Sequence, residues 1–136
     1  MRGCSAALVS LLILLLAASC SKPRSREQFI RSDGSGEYSF DVEFDDSLST
    51  WDLSFYSRLD RPVFVKDTLI SFPMQVVWRS PSGRYFSETV YYPAYTKQVL
   101  YRSGVQPSET GTWNISVTLP GEPARLRGLG LQVSRQ

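Results

Sequence analysis

Acidic side chains recur at every second position in residues 41–45, and with Asp46 they are the group of residues most suited to chemistry. Asp41, Glu43 and Asp45 would project from one face of a strand, with Asp46 at its turn. Such carboxylates could ligate calcium, which takes six to eight oxygen ligands, or form the acid–base pair of a glycosidase. Alternatively they are the solvated face of a half-buried strand. The glycine-containing calcium loop is missing, so we favour the solvated face and expect no metal and no cofactor.

Missing residue types narrow the catalytic options. The 136 residues contain no histidine, and their two cysteines are Cys4 and Cys20. A Ser/His/Asp or Cys/His site is therefore excluded, and so is zinc bound by the Cys/His type of site. No glycine-rich loop followed by lysine resembles a phosphate-binding loop. We expect a protein that is not an enzyme.

Tyrosines concentrated in residues 85–101 are the second candidate site. Exposed rings bury much area at little entropic cost when they stack on a sugar or anchor a protein partner. The candidates are Tyr91, Tyr92, Tyr95 and Tyr101. Tyr91 and Tyr92 would point to opposite faces of a strand, so one of them could be exposed while core packing takes the other. A ladder of coplanar rings would favour a glycan, whereas an uncovered edge strand would favour a protein.

The segments that must position these residues show a hydrophobic period of two. Apolar and polar residues alternate, and the runs are separated by Gly, Pro, Asp and Ser, as in the turn at residues 80–83. Alternation of this kind buries one face of each strand. It predicts an all-β fold, an antiparallel β-sandwich (immunoglobulin-like or jelly-roll-like) of seven to eight strands. The runs are residues 38–44, 51–59, 74–78, 86–92, 113–119 and 129–133.

The amino-terminal residues have the three zones of an export signal. Arg2 precedes an apolar stretch over residues 8–18, and small residues lead to Cys20. The stretch is shorter than the roughly 20 residues that a membrane-spanning helix needs. Small residues followed at once by cysteine resemble a bacterial lipobox, which implies cleavage before Cys20 and acylation of its thiol. An ordinary signal peptide is the alternative.

This processing divides the chain into three parts. Residues 1–19 are the signal peptide, residues 20–36 the lipidated cysteine with a flexible tether, and residues 37–136 the β-sandwich. Removing Arg2 with the signal leaves 14 of the 15 basic residues against 13 acidic ones. Such a near-neutral balance gives no electrostatic basis for nucleic-acid binding. We therefore expect attachment to a membrane through the lipid and no nucleic-acid partner.

Four segments in a fixed order, together with the lipobox, carry a family resemblance. They are residues 51–62, 81–90, 111–117 and 126–133, and they contain Arg58 at a strand end, a Pro-x-Gly turn at 81–83, the Glu88–Thr89 pair and a final Leu-x-Gly at 126–128. In these features the chain resembles the gliding-motility lipoprotein family of the GldH type. The resemblance implies an outer-membrane lipoprotein of Bacteroidota, associated with gliding or type IX secretion and with protein partners in an envelope complex.

The same resemblance implies modification sites and an orientation. In that phylum Asp-Ser/Thr-apolar triplets are O-glycosylated, and Ser47 and Thr68 lie in such triplets. The acidic run that directs lipoproteins to the cell surface is absent after Cys20, which favours the periplasmic face. We expect a non-catalytic accessory protein of a gliding or secretion assembly. The alternative is a glycan-binding periplasmic or surface lipoprotein that uses the tyrosine-rich segment.

Overall fold

Eight β-strands build the protein in a computed structural model that describes residues 25–59, 71–93, 98–121 and 126–136. None of these residues belongs to a helix long and apolar enough to cross a bilayer. The strands are β1 (Ser25–Arg31), β2 (Glu37–Phe44), β3 (Trp51–Leu59), β4 (Ser71–Arg79), β5 (Tyr85–Pro93), β6 (Gln98–Val105), β7 (Gly111–Thr118) and β8 (Leu126–Arg135).

The strands form two four-stranded antiparallel sheets that pack face to face. Sheet A has the order β1-β8-β3-β6, and sheet B has the order β2-β7-β4-β5. Side-chain hydrogen bonds place β1 beside β2 at one side of the sandwich and β6 beside β5 at the other. The predicted antiparallel β-sandwich of seven to eight strands is confirmed.

Both sheets direct their apolar side chains into one core. Strand β2 alternates strictly between exposed and buried residues, with Phe40 and Phe44 fully buried. Aromatic contacts join the sheets, since the Phe44 ring lies 5.4 Å from that of Trp51 in an edge-to-face arrangement. The period-two pattern therefore identified inward-facing residues correctly in both sheets, among them Tyr38, Val42, Leu53, Phe55, Met74, Val76, Ile115, Val117, Leu129 and Leu131.

Strand β1 corrects the predicted domain boundary. It pairs with β8 over seven residues, from Ser25 opposite Ser134 to Arg31 opposite Gly128. The assignment of residues 20–36 to a flexible tether is therefore wrong for Ser25–Arg31, which belongs to the β-sandwich. As an edge strand, β1 leaves most of its side chains exposed, so it shows no alternation. The predicted signal peptide and Cys20 lie outside the described residues.

Two glycines on the outer face of β8 allow aromatic rings to lie on the sheet. A Cβ atom at Gly130 would lie 2.1–2.4 Å from three ring atoms of Tyr56, so this ring covers the glycine. At Gly128 a Cβ atom would lie 2.3 Å from the carbonyl oxygen of Ile30 and 2.6 Å from Cζ of Phe29. The Phe29 and Tyr56 rings are nearly parallel, at 19°, with centroids 6.0 Å apart. Aromatic rings that cover strand glycines in this way fasten neighbouring strands together.

Candidate binding surface

Four of the described strands lie at sheet edges, and three of these four carry features that oppose further strand pairing. An exposed edge offers backbone N–H and C=O groups to other chains, and charged side chains or β-bulges are the usual protection. Strand β6 meets β3 through two register shifts within Trp51–Ser54. Strands β1 and β2 are protected by charge, through Arg26, Glu27, Arg31, Glu37, Asp41 and Glu43.

Side chains also bridge the β1/β2 side of the sandwich. Gln28 Nε2 donates a hydrogen bond of 2.6 Å to the backbone carbonyl oxygen of Asp41, on the adjacent strand. Arg26 Nη1 lies 3.8 Å from Glu43 Oε2 across the same gap. These contacts border a groove of about 270 Å³. Polar side chains thus bridge the β1/β2 side, which makes it a poor place for an added strand.

Strand β5 has the least protected edge among the described strands. All nine of its residues pair with β4 without a register shift, and no described strand pairs with its other side. Its single charged residue is Glu88, and its proline, Pro93, is its last residue. Tyr85 and Tyr91 are 76% and 71% exposed, and Phe86 is 52% exposed. We call this regular strand with its three exposed rings the β5 edge surface.

A hydrogen-bonded chain fixes β5 to β6 on the inner side of this surface. The Trp78 indole N–H donates to the Tyr101 hydroxyl at 2.9 Å, and that hydroxyl donates in turn to the Glu88 carboxylate. Arg102 Nη2 donates to the other Glu88 oxygen at 2.6 Å. Since Glu88 belongs to sheet B and Tyr101 to sheet A, these hydrogen bonds connect the two sheets at this side.

The pKa values of Tyr101 and Glu88 follow from their burial and their hydrogen-bond partners. Burial and the hydrogen bond to Glu88 raise the pKa of Tyr101 to about 12. Burial pushes the pKa of Glu88 upward, but hydrogen bonds from Arg102 and Tyr101 outweigh it and hold this pKa below the ordinary value of 4.5. The ionised carboxylate therefore contributes stability above its ordinary pKa, and this contribution declines as the pH falls below it.

The structure separates the four predicted tyrosines. Tyr91 is exposed, as the opposite-face argument allows for one of the pair. Tyr92 is 1% exposed, so its prediction as a binding residue is wrong: it stacks on Phe72 inside the core. Tyr101 is half-buried and hydrogen-bonded inward, as a residue of the β5/β6 contact, and its role as a binding residue stays a prediction. Tyr95 lies outside the described residues.

The predicted binding residues did not include the two exposed rings at the start of β5, Tyr85 and Phe86. Tyr85 has the same parity as Tyr91, so the period of two already places both on the same face of β5. Phe86 has the inward parity, and the pattern placed it with the core residues of its run. It is nevertheless 52% exposed, whereas Tyr92, with the same parity on the same edge strand, is buried.

The acidic residues of the predicted calcium or acid–base site have separate partners. Asp41 accepts a hydrogen bond from Asn114 at 3.0 Å on the outer face of sheet B. Asp45 lies 2.6 Å from Arg135, and Asp46 accepts hydrogen bonds from its own loop. Within the described ranges, no three acidic, His or Cys residues form a group that could hold a metal ion. The alternation of Asp41 and Glu43 with buried residues fits the solvated face of a strand.

Of the two candidate glycosylation sites, Ser47 lies within the described residues. Ser47 is exposed on the loop between β2 and β3, beside Leu48, which is 86% exposed. Exposure satisfies the steric requirement for modification of Ser47. Thr68 lies outside the residues that the structure describes.

Comparisons with family models and with curated proteins assign no role to these surfaces. No family model matches the chain, and no curated protein matches it.

Proposed function

We propose that this protein is a lipid-anchored, non-catalytic binding protein of the bacterial envelope that holds a protein partner at the β5 edge surface. One observation carries the proposal: β5 is a regular edge strand without a bulge or an unpaired charge in the described structure, flanked by exposed Tyr85, Phe86 and Tyr91. An extended segment of a partner can add to such an edge as a fifth strand of sheet B.

The chemistry of the surface favours a protein over a glycan. Tyr85 and Tyr91 are six residues apart on one strand, a separation of about 20 Å, so these rings form no continuous stacking ladder. Backbone pairing gives affinity without a sequence requirement, and the aromatic side chains on either end of the strand add apolar contact area. The Glu88–Arg102 pair on the inner side keeps β5 in place when its outer side is occupied.

The lipid anchor and the proposed role in an envelope assembly are inferred from the sequence. Cys20 would carry the lipid, and the resemblance to gliding-motility lipoproteins supports an accessory role in a gliding or type IX secretion assembly at the outer membrane, on the periplasmic side. A lipid anchor would concentrate the β5 edge surface near its membrane partner, which raises the effective concentration for binding.

A charge placed on the edge tests the mode of binding. Thr89→Lys puts a lysine on exposed β5, the protection that natural edges use. Thr118→Lys is the matched control, because Thr118 lies at the same level on the same face, with Gln75 between the two. We would cross-link each variant in native cells and identify the proteins that co-purify with the membrane fraction.

The outcomes separate the alternatives. We expect gliding or secretion components with the native protein and with Thr118→Lys, and a loss of at least tenfold with Thr89→Lys. Equal recovery with both lysine variants would refute strand addition at β5. Recovery of peptidoglycan or polysaccharide alone would refute the assembly role in favour of glycan binding.

A further inference from the structure

One end of the sandwich collects the start of β1 and the chain's carboxyl terminus. Ser25 lies opposite Ser134, and Ser134 lies opposite Asp52 near the start of β3. The end of β2 belongs to this same end, because Arg26 lies 3.8 Å from Glu43. We call this the Ser25 end. Glu37, at the start of β2, lies at the opposite end, roughly 23 Å away along the strand.

The loop between β2 and β3 projects from the Ser25 end in a fixed conformation. Gln136 N donates to the Thr50 carbonyl oxygen at 2.9 Å, which joins the loop to the carboxyl terminus. Asp46 accepts hydrogen bonds from Leu48 N and Ser49 Oγ, both at 2.7 Å. These bonds hold Leu48 outward, and it is the most exposed large apolar side chain that the structure describes.

Charged groups beside this loop have ionic or hydrogen-bonding partners, which lowers the desolvation cost of an apolar contact there. Arg135 Nη2 lies 2.6 Å from Asp45 Oδ1, and its guanidinium also stacks on the Trp51 ring at 4.7 Å. Asp52 accepts hydrogen bonds from Gln136 Nε2 at 2.7 and 2.8 Å. Unpaired charges would resist approach to a lipid surface, and these pairs reduce that resistance.

The chain length before β1 restricts where an anchor can be. Four residues lie between Cys20 and Ser25, and the five residue-to-residue steps reach at most about 18 Å even when fully extended. A tether ending at residue 37 would have allowed about three times this distance. We propose that the Ser25 end faces the bilayer that holds the Cys20 lipid and that Leu48 contacts the boundary between headgroups and acyl chains. This inference rests on the proposed lipid anchor.

Site-specific fluorophores test the orientation in the acylated full chain. After processing, Cys20 is the only remaining cysteine and its thiol would be acylated, so an introduced cysteine can be labelled alone. Leu48→Cys and Ser47→Cys would report on the loop, and Glu37→Cys would be the matched control at the far end. Each labelled protein would be reconstituted into phosphatidylethanolamine–phosphatidylglycerol vesicles that contain a headgroup-nitroxide lipid as quencher. Mass spectrometry of the Cys20 peptide would establish acylation in the same samples.

We expect quenching at least threefold stronger at positions 48 and 47 than at position 37. Equal quenching at the two ends, or stronger quenching at position 37, in a protein with acylated Cys20 would overturn the orientation while leaving the anchor intact. An unmodified Cys20 in protein recovered from its native cells would instead refute the anchor, and the orientation would fall with it.

Discussion

Replacing Gly128 by alanine tests how closely β1 packs on β8. The Cβ atom of the alanine would lie 2.3 Å from the Ile30 carbonyl oxygen, so this backbone segment must retreat by about 1 Å to reach van der Waals separation. A shift of that size breaks backbone hydrogen bonds at this end of β1. Forced insertion of a methyl group into a close-packed contact costs about 1–3 kcal/mol.

The sign of the change in the free energy of unfolding shows whether the packing clash or the loss of backbone entropy dominates. A glycine in an ordinary extended conformation gains about 0.4–1 kcal/mol of stability on replacement by alanine, because the unfolded chain loses freedom. A methyl group at Gly121 would meet nothing within 4 Å, and this glycine has no left-handed φ, so Gly121→Ala is the matched control. We expect Gly128→Ala to lower the free energy of unfolding by about 2 kcal/mol, while Gly121→Ala leaves it unchanged or raises it slightly.

Urea unfolding followed by tryptophan fluorescence measures both variants, since Trp51 and Trp78 are buried in the core. A loss of about 2 kcal/mol lowers the urea midpoint by about 1 M. Hydrogen exchange should show faster exchange of β1 amides in Gly128→Ala. Gly130→Ala should cost less, because it meets the end of the Tyr56 side chain, which can rotate away. A Gly128→Ala variant as stable as the native protein, with β1 amides equally protected, would refute the close packing of β1.

Two further predictions concern the tyrosines. Tyr92→Ala should lower the free energy of unfolding by about 3–5 kcal/mol, as for other large buried rings, whereas Tyr91→Ala should change it by no more than about 0.5 kcal/mol; similar thermal unfolding of the two variants would contradict the assigned faces of β5. The neutral Tyr101 phenol should stabilise the fold fully below its ordinary pKa of 10.0, and this contribution should be lost as the pH rises through about 12. Phenolate absorbance would follow the titration: Glu88→Gln should lower the Tyr101 pKa, Tyr101→Phe should remove this titration, and an unchanged pKa in Glu88→Gln would contradict the hydrogen bond.

The candidate site could be predicted only in part, because the exposure of residues on an edge strand depends on more than the alternation of apolar and polar residues. Alternation shows that Tyr91 and Tyr92 face opposite sides of a strand, but it does not show which side meets the second sheet. Phe86 is grouped with the core because it shares the parity of Tyr92, and that prediction fails: alternation gives the face of a side chain but not its exposure along an edge strand. The Glu88–Tyr101 contact joins strands of different sheets, and no local pattern indicates which residues of separate sheets will meet.

The amino-acid sequence by itself determined the all-β class and the inward faces of the core strands, because the two-residue period of an extended chain assigns each side chain to a face. It also excluded histidine-dependent catalysis through composition. The tertiary structure alone decided that Ser25–Arg31 is a strand, since β1 gains its pairing from β8, a strand about a hundred residues later in the chain. It also decided which strands lie at the edges. Strand order depends on packing between distant segments, and so the exposure of β5 follows from the assembled sheets.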